Sequence, residues 1–127
     1  DGLRVCRELS RDLVNVNVTL IFSPAQAILA AKAGAKYVSP FVGRVDDNSF
    51  DGIDLVDQIS DIYTIQNIRK TEILAASVRD VKTVSDAFGA GAHVVTMPPS
   101  ILEKMYNHVL TDRGLYQFDM DWAKVKR

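Results

Sequence analysis

The sequence predicts an α/β domain built on a parallel sheet with right-handed crossovers. Two observations carry that prediction. Strand-type and helix-type periodicities alternate about four times along the 127 residues, as in chains of βα units whose strands share one sheet. A faint internal repeat adds to it. Ala33-Gly34-Ala35-Lys36-Tyr37-Val38-Ser39 resembles Ala90-Gly91-Ala92-His93-Val94-Val95-Thr96, two strand–helix units further on. A helix–glycine–strand repeat of this kind suits a (β/α) barrel.

The elements follow in order. Leu3, Cys6, Leu9 and Leu13 recur at helical spacing, with Arg4, Arg7, Glu8 and Arg11 on other faces, so the chain enters in a helix. From Val14 to Phe22 the period becomes two, which predicts a strand. Ser23, Pro24 and Gln26 read as N-cap, first helical position and capping box of an Ala-rich helix that runs to about Lys32. Gly34 then supplies a left-handed cap. A strand is expected over 36–42, followed by an acidic, polar loop from Asp46 to Gly52. Ile53, Val56, Ile59 and Tyr63 outline a helix interrupted near Asn67. Glu72 to Ser77 reads as a buried strand, and Val81, Val84 and Phe88 as a helix ending at Gly89-Ala90-Gly91. A fourth strand is expected from His93 to Met97. Pro98-Pro99 ends it, and Ser100 with Glu103 forms a second capping box. The tail through Phe118, Trp122 and Val125 reads as helical.

Composition narrows the function classes. Lys and Arg number 15 against 16 Asp and Glu, for a net charge of −1. That balance offers no basic field for nucleic acid. No apolar run approaches the roughly 20 residues that span a bilayer, so no membrane role is expected. A single cysteine, Cys6, forms neither an internal disulfide nor a thiolate metal site. A cytoplasmic, reducing setting is expected. Asp1-Gly2-Leu3-Arg4 has no initiator Met and no signal-peptide layout, and reads as the interior of a longer chain.

The functional signal is parity along the strands. Strands of a parallel sheet are buried on both faces and normally read as continuous apolar runs. Here Asn17 with Thr19, Ser39 with Phe41, and Ser77 with Arg79 sit two apart and are expected to share a face near the C-terminal strand ends. Parallel α/β folds place their ligands on that rim. Arg44, Ser77 and Arg79 suggest an anion site for a phosphorylated metabolite, because the arginine fork matches phosphate oxygens and a hydroxyl adds a donor. Asp46, Asp47, Asn48 and Asp51 lack the spacing of a calcium loop and read as solvated, and no metal site is expected. His93 begins a strand, the wrong end for catalysis. His108 lies near a helix end with no metal-ligating neighbour. Cys6 reads as a small core residue, and Phe118 with Trp122 as a packing stripe.

These same segments resemble a known family. Asn17-Val18-Thr19-Leu20-Ile21-Phe22-Ser23 with Gln26 is similar to the N-x-T-L-x-F-S-x-x-Q segment of transaldolases. Ser39-Pro40-Phe41-Val42-Gly43-Arg44 matches their S-P-F-V-G-R segment, and Ala75-Ala76-Ser77-Val78-Arg79 their A-S-x-R strand end. Leu110-Thr111-Asp112-Arg113-Gly114-Leu115, with Phe118 and Asp121-Trp122, resembles the C-terminal region of the short transaldolase-like subfamily. Val109 departs from it where Pro follows the histidine.

The resemblance implies a class I transaldolase, a (β/α)8 TIM barrel that moves a dihydroxyacetone unit between sugar phosphates through a lysine Schiff base. No metal or organic cofactor is implied, because the iminium is the electron sink. Asn17 and Thr19 would position water and hydroxyls around the Schiff base, Ser39 and Phe41 would line the pocket, and Arg44, Ser77 and Arg79 would hold the substrate phosphate. A complete barrel takes eight strands and at least about 200 residues. Residues 1–127 are therefore expected to be the C-terminal half of a single (β/α)8 barrel domain, about four parallel strand–helix units plus a helical tail, with the N-terminal half absent. The family's Schiff-base lysine falls just upstream of Asp1. None of Lys32, Lys36, Lys70, Lys82, Lys104, Lys124 and Lys126 substitutes for it, so this chain alone is expected to be inactive. The expected partners are sugar-phosphate substrates, the missing half-barrel and further copies in a homo-oligomer. Two alternatives stay open at this level: a fructose-6-phosphate aldolase, and a non-catalytic half-barrel that binds phosphate or a partner.

Overall fold

The computed structural model describes residues 1–125. Lys126 lies outside them. The order is α1 (Gly2–Arg11), β1 (Asn17–Ile21), α2 (Pro24–Lys32), β2 (Tyr37–Pro40), α3 (Val42–Asp47), α4 (Gly52–Ile65), β3 (Glu72–Ala75), α5 (Val81–Gly89), β4 (Val94–Val95), α6 (Pro99–Tyr106) and α7 (Val109–Val125). The strands form one sheet in sequence order, and every adjacent pair is parallel. This is the architecture of half a (β/α)8 barrel.

Burial follows the pleat. In β3, Ile73 and Ala75 are buried against the helices while Glu72 and Leu74 are half-exposed. Val38, Val56, Ile59 and Val84 complete that core between sheet and helices, and Cys6 joins it as expected. The opposite face carries Asn17, Thr19, Tyr37, Glu72 and Leu74, all exposed or half-exposed.

The signals that open α2 act as read. The Ser23 hydroxyl accepts from the Gln26 N–H at 3.3 Å, and the Gln26 side chain accepts from the Phe22 N–H at 2.8 Å. Gly34 takes φ +92, the left-handed conformation expected of it. Asn67, where the α4 stretch was expected to break, takes φ +54 just past the helix.

Four expectations need correcting. The first strand is shorter than 14–22 and its alternation is broken. Leu20 takes φ +56 and the pairing register with β2 shifts between Val18 and Ile21. That bulge flips the parity, so Ile21 is 3% exposed while Leu20 is 47% exposed. Second, strand 36–42 stops at Pro40, and the acidic loop begins as helix α3. The chain turns at Phe41, and the N–H groups of Val42 and Gly43 donate to the carbonyls of Ala76 and Ser77 at 2.9 and 3.1 Å. Bonds from beyond β3 thus satisfy the first donors of a helix that lacks a side-chain cap. Third, Ser100 forms no capping box with Glu103. Pro98 occupies the N-cap and Pro99 the first turn, so Ser100 lies inside α6. Fourth, Phe118 and Trp122 are exposed, and none of the 17 residues of α7 is buried. Their apolar stripe has no cover among the described residues.

Candidate functional site at the strand ends

The seven candidate residues form three clusters. Asn17 and Ser39 make one: the Ser39 hydroxyl donates to Asn17 Oδ1 at 2.7 Å. Ser39 is buried one residue before the end of β2. Asn17 opens β1 instead of lying near its C-terminal end, because the strand begins three residues later than the alternation suggests. Thr19 faces the same side, exposed and beside the bulge.

Phe41 and Arg44 make the second. Phe41 sits where β2 gives way to α3, and its ring meets Phe22 edge to face with centroids 5.9 Å apart. The Arg44 guanidinium lies over the Phe41 ring, 5.0 Å from its centroid. That contact steadies the cation through the ring face and leaves its N–H edges free for an anion.

Ser77 and Arg79 make the third, although strand parity does not unite them. Both lie beyond β3, and Ser77 takes φ +59, a conformation costly for any side-chain-bearing residue. What brings them together is Gly43. A Cβ on Gly43 would lie 2.9 Å from both the Ser77 hydroxyl oxygen and Arg79 Nε, and 2.2 Å from the Ser77 carbonyl oxygen. Only a glycine in the first turn of α3 lets the two donors converge there.

Sequence reasoning missed one residue outright. Asp47, taken as part of a solvated loop, ends α3 and holds Arg79 in a bidentate pair, Nη1 to Oδ1 at 2.6 Å and Nη2 to Oδ2 at 2.8 Å. The Arg79 hydrogen bonds hold the Asp47 carboxyl below the usual carboxylate range, and the charge of Arg44 adds to the pull. Asp47 therefore sits in the field of both arginines. Its spacing three after Arg44 would have been telling had 42–47 been read as a helix. Asp46 and Asp51 serve the backbone instead, accepting from the N–H groups of Gly52 and Asp54 at 2.8 and 2.9 Å.

A cleft of about 470 Å³ opens between the start of α2, α3 and α4, lined by Phe22, Ser23, Arg44, Phe50, Asp51 and Gln58 among others. Of the seven candidates only Arg44 reaches it. Asn17 and Thr19 lie on the open side of the sheet, Ser39 is buried within it, and Phe41, Ser77 and Arg79 lie beyond the strand ends. Among the described residues no His, Cys, Asp and Glu side chains gather as a metal site, and no lysine stands at a strand's C-terminal end. Lys36 lies before β2 and pairs with Glu72 at 2.6 Å, and Lys82 pairs with Asp86 on the surface of α5.

A family model and the similar proteins agree on a family. A family model described as transaldolase/fructose-6-phosphate aldolase matches residues 1–127. A "probable transaldolase" of Paracoccus denitrificans is 57% identical over 98% of this chain and 57% of its own length. One of Nitrosopumilus maritimus is 56% identical over 99% of this chain and 57% of its own. This chain thus spans somewhat over half the length of the relatives it matches. Two solved structures share the fold. A lactate oxidase of Pediococcus acidilactici, 25% identical, superposes with a TM-score of 0.58 over 76% of this chain and 26% of that one. A flavocytochrome b2 variant with benzoylformate, 20% identical, reaches 0.61 over 75% and 26%.

Proposed function

Since this chain belongs to the transaldolase/fructose-6-phosphate aldolase family, we propose that it is the C-terminal half of a (β/α)8 barrel that moves a dihydroxyacetone unit between sugar phosphates. The nucleophile is a lysine in the chain preceding Asp1. Its amine condenses with the donor ketone and releases water. The resulting iminium draws in the electron pair of the breaking carbon–carbon bond, an aldehyde leaves, and the bound enamine attacks the acceptor aldehyde. The residues present here bind and orient. Arg44, Ser77 and Arg79 hold the phosphate, Asn17, Thr19 and Ser39 position hydroxyls and water, and Phe41 walls the reacting carbons.

The observation that carries this reading is the convergence of Ser77 and Arg79 on Gly43 beyond the end of β3, with the next residue, Arg44, held over the Phe41 ring beyond the end of β2. Phe41 supports transfer over plain aldol cleavage. A phenyl ring cannot donate or accept the hydrogen bonds that would help a water protonate the enamine, so the enamine persists until an acceptor arrives.

The same proposal includes a covering partner. β1 and β4 each have one strand neighbour, and such free edges invite pairing. The missing half-barrel closes them, and copies of the chain associate around α7, which buries nothing of its own. The catalytic reading is tested on the complete barrel by borohydride reduction with fructose 6-phosphate. One stoichiometric sugar adduct, mapping to a lysine before Asp1, is the expected result. No adduct, or one on Lys36 or Lys70, overturns it.

A further inference from the structure

Arg79 is half-exposed and lies beyond the last residue of β3, where nothing in a strand ladder holds its long side chain. A free arginine in that setting samples many rotamers, and ordering it weakens binding of whatever it grips. Asp47 removes that freedom. It accepts one hydrogen bond from each terminal nitrogen of the guanidinium, which leaves the Nε–H edge uncommitted. That Nε and the Ser77 hydroxyl both approach the Cα face of Gly43. Among the described residues, neither has a hydrogen-bond partner. The carboxylate is itself anchored as the last residue of α3, whose first turn is bonded to Ala76 and Ser77. One short helix therefore carries Arg44, the glycine that admits Arg79 and the aspartate that orients it.

We propose that Asp47 is the positioning residue of the phosphate grip, holding the Arg79 fork end-on so that its Nε edge and the Ser77 hydroxyl face an incoming phosphate together. This rests on the reading of Arg79 as a phosphate ligand. The carboxylate also opposes a phosphate by its charge, so the sign of its net effect is what an experiment reads.

The test is made on the complete barrel with Asp47→Asn, Asp47→Glu, Arg79→Ala and the double variant Asp47→Asn/Arg79→Ala. It compares fructose 6-phosphate with fructose as donor and uses inorganic phosphate as competitive inhibitor. Arg79→Ala alone reads the underlying assignment: if phosphate inhibition is unchanged in it, both that assignment and this proposal fall. With that assignment intact, Asp47→Asn raises KM for fructose 6-phosphate and Ki for phosphate about tenfold. It changes kcat less than twofold and leaves the ratio kcat/KM for fructose as in the parent. Asp47→Glu recovers most of the loss, because a carboxylate is still within reach. In the Arg79→Ala background, Asp47→Asn has no further effect on KM or Ki. A lower or unchanged KM for fructose 6-phosphate overturns the proposal, and so does an equal loss on both donors. An Asp47→Asn effect that persists without Arg79 overturns it as well.

Discussion

The two ends of the one sheet are both polar, but only the rim leaves several side-chain donors without a partner beside those it pairs, such as Arg79 with Asp47. At the floor, where the strands begin, the buried and half-buried groups are spent on the chain itself. Lys36 pairs with Glu72 across β2 and β3. The Thr71 hydroxyl, buried, donates to the Ala35 carbonyl at 2.7 Å. His93 Nδ1 accepts from the Ile73 N–H at 3.0 Å while the His93 backbone N–H donates to the Ile73 carbonyl at 2.8 Å. At the rim, among the described residues, the side-chain donors of Arg44, Thr19 and Ser77 have no protein hydrogen-bond partner, and Ser77 holds one of them on a backbone of positive φ. Saturated groups close a ladder. Unsaturated donors are poised for something that arrives from outside. The contrast matches the general division of labour in parallel barrels between a stabilising floor and a reactive rim.

The sharpest way to break that contrast is the same substitution at both ends. At the rim, Gly43→Ala puts a methyl 2.2 Å from the Ser77 carbonyl oxygen, and backbone must move. In the complete barrel kcat/KM for a phosphorylated donor should fall about 100-fold, about 3 kcal/mol of transition-state binding. At the floor, Gly91→Ala places its methyl 2.1 Å from the Ser60 hydroxyl, which can rotate, and 2.7 Å from Ser60 Cβ, which cannot, so α4 must give slightly, and φ +104 adds strain. It should lower stability by about 1–2 kcal/mol and leave kcat/KM within twofold. Denaturant melts beside steady-state kinetics distinguish the two. Equal kinetic losses would erase the distinction between floor and rim.

A smaller effect sharpens the rim. Phe41→Tyr adds one hydroxyl beside the Phe22 and Arg44 contacts. The ratio of fructose 6-phosphate cleavage without acceptor to transfer onto erythrose 4-phosphate should rise about tenfold. An unchanged ratio would return the aldolase reading to equal standing. The smallest effect belongs to the floor. Thr71→Val strands the buried Ala35 carbonyl without its donor, at about 1–2 kcal/mol in denaturant unfolding, with the kinetics of the folded enzyme unaltered. A kinetic change there would show that the two ends are coupled.

The residues of the candidate site are picked out by the sequence alone, and the two misplacements among them depend on long-range contacts. Ser39, Arg44, Ser77 and Arg79 stand out because polar or charged residues near the ends of apolar strands conflict with burial on both faces, and Phe41 through its place two after Ser39 in the family segment. Asp47 escaped because acidic residues after a strand usually face solvent. Its role depends on a helix that local pattern does not announce, since a bulky, β-branched Val42 opens it and no side chain caps it. Asn17 was placed at the wrong end of its strand, because Val14 and Val16 prolong the alternation past the point where pairing with β2 begins.

The sequence by itself determined the order of strands and helices, the start of α2 at Ser23 and the family. These rest on contacts between residues a few positions apart, or on motifs preserved along the chain. Tertiary structure alone decided the flipped parity at Leu20, the coiling of 42–47, the Asp47–Arg79 pair and the bare surface of α7. Each of these depends on groups far away in the chain. The bulge answers to the register of β2, α3 to carbonyls beyond β3, the ion pair to the close approach that Gly43 permits, and α7 to the lack of any packed neighbour among the described residues. Periodicity reports which face of an element is apolar, but only the assembled fold supplies the surface that face meets.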